Sequence, residues 1–436
     1  MNNKNKVDKS KFWMPYTQMK TASEPELVKS AKGLYLELED SRQIMDCISS
    51  WWVILHGHCQ KEIVDAISVQ AGILEQVIAA GYTHQPVKEL TKGLLEILPD
   101  HLKHIFYSDN GSTSIEVGLK MAFQYWKNKG VKDRTRFLCF EGDFHGDTIG
   151  AMSVADKSVF NNIFEELLFD CDYLLYPETF LNDQEFLEKE DKALIQLDGL
   201  LKKNGSKYAA MIIEPLVQGA SGFRMCRPEF LRKLEKKLRE YGILLIHDEV
   251  MTGFGRTGEW FACQKAGTTP DIICLSKGIT GGFLPLAATV ATEEIYQGFY
   301  DEDPKKTFYH GHSYTANPLG CAAAVASLKL LKQQKNKLLE IEKWQQKGLK
   351  MIHETGLIEK PRFMGTLSAM NVKIDKDYKF TQKDVSKVIS LFLNKGFMMR
   401  PLGSTLYILP PYCINEDELL SIYQATIEVL KECNFN

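Results

Sequence analysis

Ile243-Leu244-Leu245-Ile246-His247-Asp248-Glu249-Val250 and, further on, Asp271-Ile272-Ile273-Cys274-Leu275-Ser276-Lys277-Gly278 share one grammar. Each is a short apolar run without alternation, closed by an acid or a lysine. Such runs read as strands covered by helices on both faces, the pattern of a parallel sheet. Polar residues then stand at the C-terminal strand ends, where open α/β sheets place ligands. Between the two runs lies Gly253-Phe254-Gly255-Arg256-Thr257-Gly258. It matches G-x-G-x-x-G, but it lies several residues past a strand end and outside the first βα turn. It reads as a glycine-permissive loop near a site rather than a dinucleotide loop.

The same grammar extends outward. Ile105 to Tyr107 is a strand, Ser108 to Ser112 a turn, and Ile115, Leu119, Ala122, Phe123 and Trp126 repeat at helical spacing. Phe137 to Phe140 is a strand that opens into a polar loop through His145 and Asp147, and Ala209 to Ile213 is a strand ending at Glu214. A helix over 228–241 begins at Pro228 and stops before Gly242. These repeats predict an α/β fold with a mostly parallel central sheet flanked by helices. Residues 12–17 read as an extended segment, 34–38 and 42–48 as strands, and 60–78 and 86–97 as helices. Residues 178–207, rich in charge and glycine, read as a surface excursion. An Ala-rich helix over 318–331 and a charged one over 332–350 lead into strands at 364–372 and 405–409 and helices at 381–394 and 416–431. The expected division is an N-terminal segment, 1–59, belonging to a small domain; a large α/β domain, 60–331; and a small α+β domain, 332–436.

Composition narrows the function. With 53 basic against 56 acidic residues, the net charge of -3 disfavours nucleic-acid binding. Apolar residues at 44% allow a large core. The 10 cysteines form no C-x-x-C pair, which points to a reducing, cytoplasmic setting. The first residues are polar and basic with no apolar run behind them, so neither a secretory signal nor a membrane span is expected.

Asp248 and Lys277 are the strongest candidates for chemistry. Taken alone, they could form a structural ion pair or solvated strand ends. A lysine amine can also link covalently to a carbonyl cofactor, and a carboxylate can keep such a cofactor's pyridine nitrogen protonated. Gly111-Ser112 opens a helix, where free N–H groups favour an anion, although Ser112 could equally be a simple N-cap. Phe144 could stack on a flat ring or merely pack. His56, His58 and His145 belong to no set with ligand spacing, and no metal is predicted.

Leu245 to Val250, Gly253 to Gly258, Pro270-Asp271, Ser276-Lys277-Gly278 and Gly281-Gly282 occur in an order that resembles the class III (omega) aminotransferases. These use pyridoxal 5'-phosphate on the fold-type I scaffold, and the resemblance covers about residues 12 to 430. Trp13-x-Pro15-Tyr16-Thr17, Ser50-Trp51-Trp52, His145 to Ser153, Arg400-Pro401-Leu402, Tyr407 and Pro410-Pro411-Tyr412 resemble one branch of that family. That branch aminates 8-amino-7-oxononanoate in biotin biosynthesis.

The resemblance implies roles. Lys277 would bind the cofactor aldehyde and move the proton, and Asp248 would pair with the ring nitrogen. Phe144 and Val250 would cover the two ring faces, with Glu214 behind. Gly111 and Ser112 would hold the phosphate, joined by Ser313 from a second subunit of a homodimer with shared sites. Arg400 would take the keto acid's carboxylate. Tyr16, Trp51 and Trp52 would wall the substrate pocket, with Gly311, Phe144 and Tyr407 as further contacts. Three positions depart from the family pattern. Phe144 stands where tyrosine is usual, and Ser313 where threonine is usual. Gly311-His312-Ser313-Tyr314-Thr315 lacks the Pro-Thr that follows the glycine in adenosylmethionine-dependent members and resembles the lysine-using variant. Tyr407 and Pro410-Pro411-Tyr412 resemble the adenosylmethionine users, so both donors stay open.

Overall fold

Seven strands build the central sheet: β1 (Leu102–Ser108), β2 (Arg136–Phe140), β3 (Asp172–Leu174), β4 (Tyr208–Ile213), β5 (Leu244–Asp248), β6 (Ile272–Leu275) and β7 (Ala287–Thr292). Their order is β1-β7-β6-β5-β4-β2-β3. The computed structural model describes residues 11–158, 160–375 and 378–435. The segment before residue 11, expected to fray, lies outside them. Strands β6, β5, β4, β2 and β3 run parallel, and β7 is antiparallel to both its neighbours. Every residue of β4, β5 and β6 is buried, which is why their sequences show no alternation. Burying each large aliphatic side chain there contributes roughly 1.5–3 kcal/mol.

Parallel strands require crossovers, and helices provide them. Helix α1 (Gly111–Asn128) follows β1, and α2 (Pro228–Glu240) precedes β5. The buried face of α2 is Phe230, Leu231, Leu234 and Leu238, at the spacing of one helical stripe. Pro228 sits in the first turn of α2, where its missing N–H costs nothing.

The two chain ends meet in a second sheet. Val28–Lys32, Tyr35–Leu38 and Gln43–Asp46 are antiparallel neighbours, and Phe397–Met398 pairs parallel with the last of them. Ile358–Met364, Leu367–Val372 and Thr405–Ile408 form a further antiparallel sheet. Arg256, in the glycine-rich loop, joins these parts. Fully buried, it donates to the carbonyls of Pro410 (3.0 Å), Ile54 (3.2 Å) and Trp52 (3.3 Å), and its guanidinium lies 5.1 Å from the Tyr412 ring centre.

Two expectations need correction, and one strand was not foreseen. Residues 178–207 are not an irregular excursion: Phe186–Asn204 is a helix whose buried Ala193, Leu194, Leu197 and Leu201 form a stripe that the surrounding charge obscures. Residues 12–17 are irregular rather than one extended segment, with a turn at Pro15-Tyr16 where Tyr16 takes a left-handed φ of 51°. Strand β7 sits inside the sheet, yet Ala287-Ala288-Thr289-Val290-Ala291-Thr292 offers mostly small side chains and no strong strand signal. Among the described residues, no helix is long and apolar enough to cross a membrane.

Candidate functional site

The parallel strands end together along one edge. Asp248 closes β5, Glu214 follows β4, Lys277 follows β6, and Phe144 and His145 lie in the loop after β2. Lys277 opens a short 3-10 turn with φ of 44°, a conformation that costs a non-glycine residue roughly 1–3 kcal/mol. Its Nζ lies 4.6 Å from the Trp52 ring centre and has no hydrogen bond or ion pair among the described residues. Burial pushes its pKa below the ordinary lysine value, while the charges of Asp248 and Glu214 pull the other way.

Behind Lys277 runs a chain of buried polar groups. His145 Nδ1 meets Asp248 Oδ2 at 2.7 Å, and His145 Nε2 lies 3.7 Å from Asp143 Oδ2. Burial opposes charge on the imidazole, but the two carboxylates outweigh it and carry His145 up to about 10. At neutral pH, His145 is therefore an imidazolium between two carboxylates. Asp248 Oδ1 also accepts the Val250 N–H at 3.0 Å. Asp143 is held in turn by Gln218 Nε2 at 2.8 Å and the Phe140 N–H at 2.8 Å. Glu214 accepts the N–H groups of Phe144 (3.0 Å) and Gly219 (2.8 Å). Burial, then the negative charge of Asp143, pushes its pKa up to about 8.

An anion cradle stands beside this chain. The N-cap of α1 is Asn110, whose side chain accepts the Thr113 N–H at 3.1 Å, so Ser112 is not the cap. The N–H groups of Gly111 and Ser112 are left without partners among the described residues. Ser112 Oγ accepts the Asp147 N–H at 3.2 Å. A Cβ on Gly111 would lie 2.8 Å from Val250 Cγ1. One on Gly146, at φ of 126°, would lie 2.0 Å from Ser112 Oγ. Both glycines thus let the helix end, Val250 and the 144–147 loop close on one small space. Free N–H groups, a helix dipole, an acid braced by an imidazolium and a poised amine fit a flat phosphorylated aldehyde with a basic ring nitrogen.

Aromatic side chains form the mouth. Trp52 is buried; its Nε1 donates to Tyr407 at 3.1 Å, and its ring packs edge-on against Phe223. Trp51 is exposed, 5.5 Å from the Tyr16 ring centre and 5.4 Å from the Arg400 guanidinium. Tyr16 donates to Asp147. Tyr16, Trp51 and Arg400 therefore make an outer wall, and Trp52 with Tyr407 an inner one. Gly311 and Ser313 are exposed, and His312 between them lies 3.9 Å from Asp109, beside the start of α1. The Ser313 carbonyl accepts from Gln76, His310 meets Lys120 at 2.9 Å, and no hydrogen bond joins Gly311 or Ser313 to Lys277 or Asp248 among the described residues.

The family model for aminotransferase class III matches residues 17–430. The chain belongs to the class III aminotransferases. A relative from Synechococcus elongatus, named adenosylmethionine-8-amino-7-oxononanoate aminotransferase, is 50% identical over 97% of this chain and 98% of its own. The crystal structure of the protein of that name from Methanocaldococcus jannaschii is 35% identical, covers 98% of both chains and superposes with a TM-score of 0.90. A PLP-bound amine transaminase from an uncultivated Pseudomonas species is 27% identical, with a TM-score of 0.91 over 97% of this chain and 99% of its own.

In this aminotransferase, the sequence pointed to Asp248 and Lys277 but assigned no role to Asp143 or Gln218 and left His145 as a loop residue. The only signal was a run of polar residues after a strand, Glu141 to Asp147. His247, Glu249 and Cys263 also gather, with ligand-type atoms within 4.8 Å of one another. Glu249 is already engaged there, accepting the N–H groups of Ala262 (2.5 Å) and Cys263 (2.8 Å).

Proposed function

We propose that this aminotransferase binds pyridoxal 5'-phosphate and transfers an amino group from S-adenosyl-L-methionine to 8-amino-7-oxononanoate, giving 7,8-diaminononanoate for biotin biosynthesis. The observation that carries the reading is the juxtaposition of Lys277 and the His145-braced Asp248 at neighbouring strand ends, in a chain 50% identical to a relative of that name. When bound, the cofactor supplies an electron sink for the carbon that loses a proton. Lys277 would hold the cofactor through its aldehyde carbon. Its freed Nζ would move a proton between the substrate's carbon and the cofactor's carbon, in opposite directions in the two halves of the cycle. Asp248, held in place by His145, would pair with the ring nitrogen. Gly111 and Ser112 bind the phosphate, Val250 and Phe144 confine the ring, and Glu214 supports the Phe144 backbone. Arg400 presents a planar fork to the acceptor's carboxylate, while Tyr16, Trp51, Trp52 and Tyr407 exclude water.

A homodimer completes this reading, with Ser313 and Gly311 serving the partner's site. A cleft of about 790 Å³, lined by Ala66, Val69, Ile73, Leu74, Ala326 and Leu330, supports it, because a second copy of the chain would cover that apolar surface. Sedimentation as a monomer at working concentration would refute it. The division at about residues 59 and 331 and a cytoplasmic location belong to the same proposal.

The test is product formation. Purified protein with 8-amino-7-oxononanoate and S-adenosyl-L-methionine should yield 7,8-diaminononanoate, read by mass spectrometry; no product with any amino donor refutes the reading. Lysine is the second donor reading, favoured by Gly311-His312-Ser313-Tyr314-Thr315. Product with lysine and none with S-adenosyl-L-methionine would establish it.

A further inference from the structure

Phe160 stands at the mouth of the site and has no part in the roles above. Its ring meets that of Tyr16 edge-on at 5.8 Å and that of Phe144 at 5.9 Å between centroids, and the residue remains 40% exposed. Hydrogen bonds of Ser158 and Asn161 flank it. Asn161, 4% exposed, accepts the Ser158 N–H at 2.8 Å and donates to the Asp156 carbonyl at 2.7 Å. The Phe160 N–H donates to Ser158 Oγ at 3.3 Å. Asp156 is bolted to the loop of the catalytic groups: its N–H donates to the Asp143 carbonyl at 3.0 Å, and its carboxylate accepts the Gly142 N–H at 2.8 Å. Asn161, next to Phe160, is thus tied through Asp156 to the loop carrying Phe144 and His145. Nothing in that bracing needs an aromatic ring at residue 160, because its contacts run through the backbone and Asn161.

The ring's position has a use. The proposed acceptor has a carboxylate at one end and its keto carbon near the other, joined by a run of methylene groups. With the carboxylate at Arg400 and the keto carbon at Lys277, the methylenes pass the aromatic wall that Phe144, Phe160 and Tyr16 share. We infer that Phe160 is a specificity-determining residue that packs against the acceptor's methylene chain. This inference rests on the acceptor proposed above.

The holoenzyme tests it with Phe160→Ala and Phe160→Leu. Removing most of a partly exposed ring should raise the acceptor KM about five- to twentyfold, with kcat and the donor KM nearly unchanged. Phe160→Leu, which keeps apolar bulk, should recover most of the loss. Calorimetric binding of nonanoate, a carboxylate with the same chain, should weaken in parallel in Phe160→Ala. Unchanged acceptor KM and nonanoate affinity would overturn the inference, as would a rise confined to the donor KM. If the wild-type enzyme does not aminate 8-amino-7-oxononanoate at all, the functional reading fails and takes this inference with it. Normal wild-type turnover with an indifferent Phe160→Ala removes this inference alone.

Discussion

His145 Nδ1 lies 2.7 Å from Asp248 Oδ2, with both side chains sealed from solvent at the end of the central sheet. This pair sets the charge of the site. The contact fixes Asp248 at the strand end, where its carboxylate can face a ring nitrogen.

The pair makes stability depend on pH. His145 is raised from 6.5 to about 10 in the folded chain, so its stabilisation is full below pH 6.5 and is lost as pH rises through about 10. Glu214, raised from 4.5 to about 8, adds its own decline, complete by about pH 8. Lys277 and the buried cysteines also titrate across about pH 8 to 10, but in both proteins, so the difference between variant and wild type in that interval reports His145. His145→Gln should show a flatter thermal midpoint than wild type across that interval. Parallel curves for the two proteins would contradict the charged histidine.

Asp248→Asn removes the charge while keeping the shape. The rate should fall by roughly 10²–10³, about 3–4 kcal/mol of lost electrostatic stabilisation, with cofactor still bound. Single-turnover kinetics reads this directly, and an unchanged rate would remove Asp248 from the ring nitrogen.

Lys277→Ala should abolish turnover and also the covalent fixation of cofactor by borohydride. Peptide mass mapping across residue 277 distinguishes wild type from variant. Borohydride labelling of a different lysine in the wild-type protein would move the reactive amine elsewhere.

Gly146→Ala tests the anion cradle. The new Cβ would sit 2.0 Å from Ser112 Oγ at a φ of 126°, so the loop must withdraw from the helix end. At a strain of roughly 1–3 kcal/mol, cofactor affinity should drop about ten- to hundredfold, measured by equilibrium dialysis. Wild-type affinity would show that the phosphate binds elsewhere.

Arg400→Ala should raise the KM for the keto acid about ten- to hundredfold through loss of a charge-assisted hydrogen bond, leaving the donor KM in place. An effect on the donor alone would reverse the assignment.

The sequence by itself determined the strands that carry Asp248, Glu214 and Lys277, because residues buried on both faces leave uninterrupted apolar runs and the chemistry follows directly at their ends. It also determined the family, because the order of short motifs survives in the chain without any need of contacts. It could not show β7, whose small side chains carry no period, or the helix at Phe186–Asn204, whose stripe is diluted by charge. Only the tertiary structure decided that Trp52 lies inward against Tyr407 while Trp51 faces out beneath Arg400. Side chains adjacent in sequence separate when the backbone turns between them, and here it does so at Ser50 and Trp52, both with positive φ. Only the fold, too, set His145 between Asp143 and Asp248, since the contact spans 103 residues and arises from the packing of parallel strands.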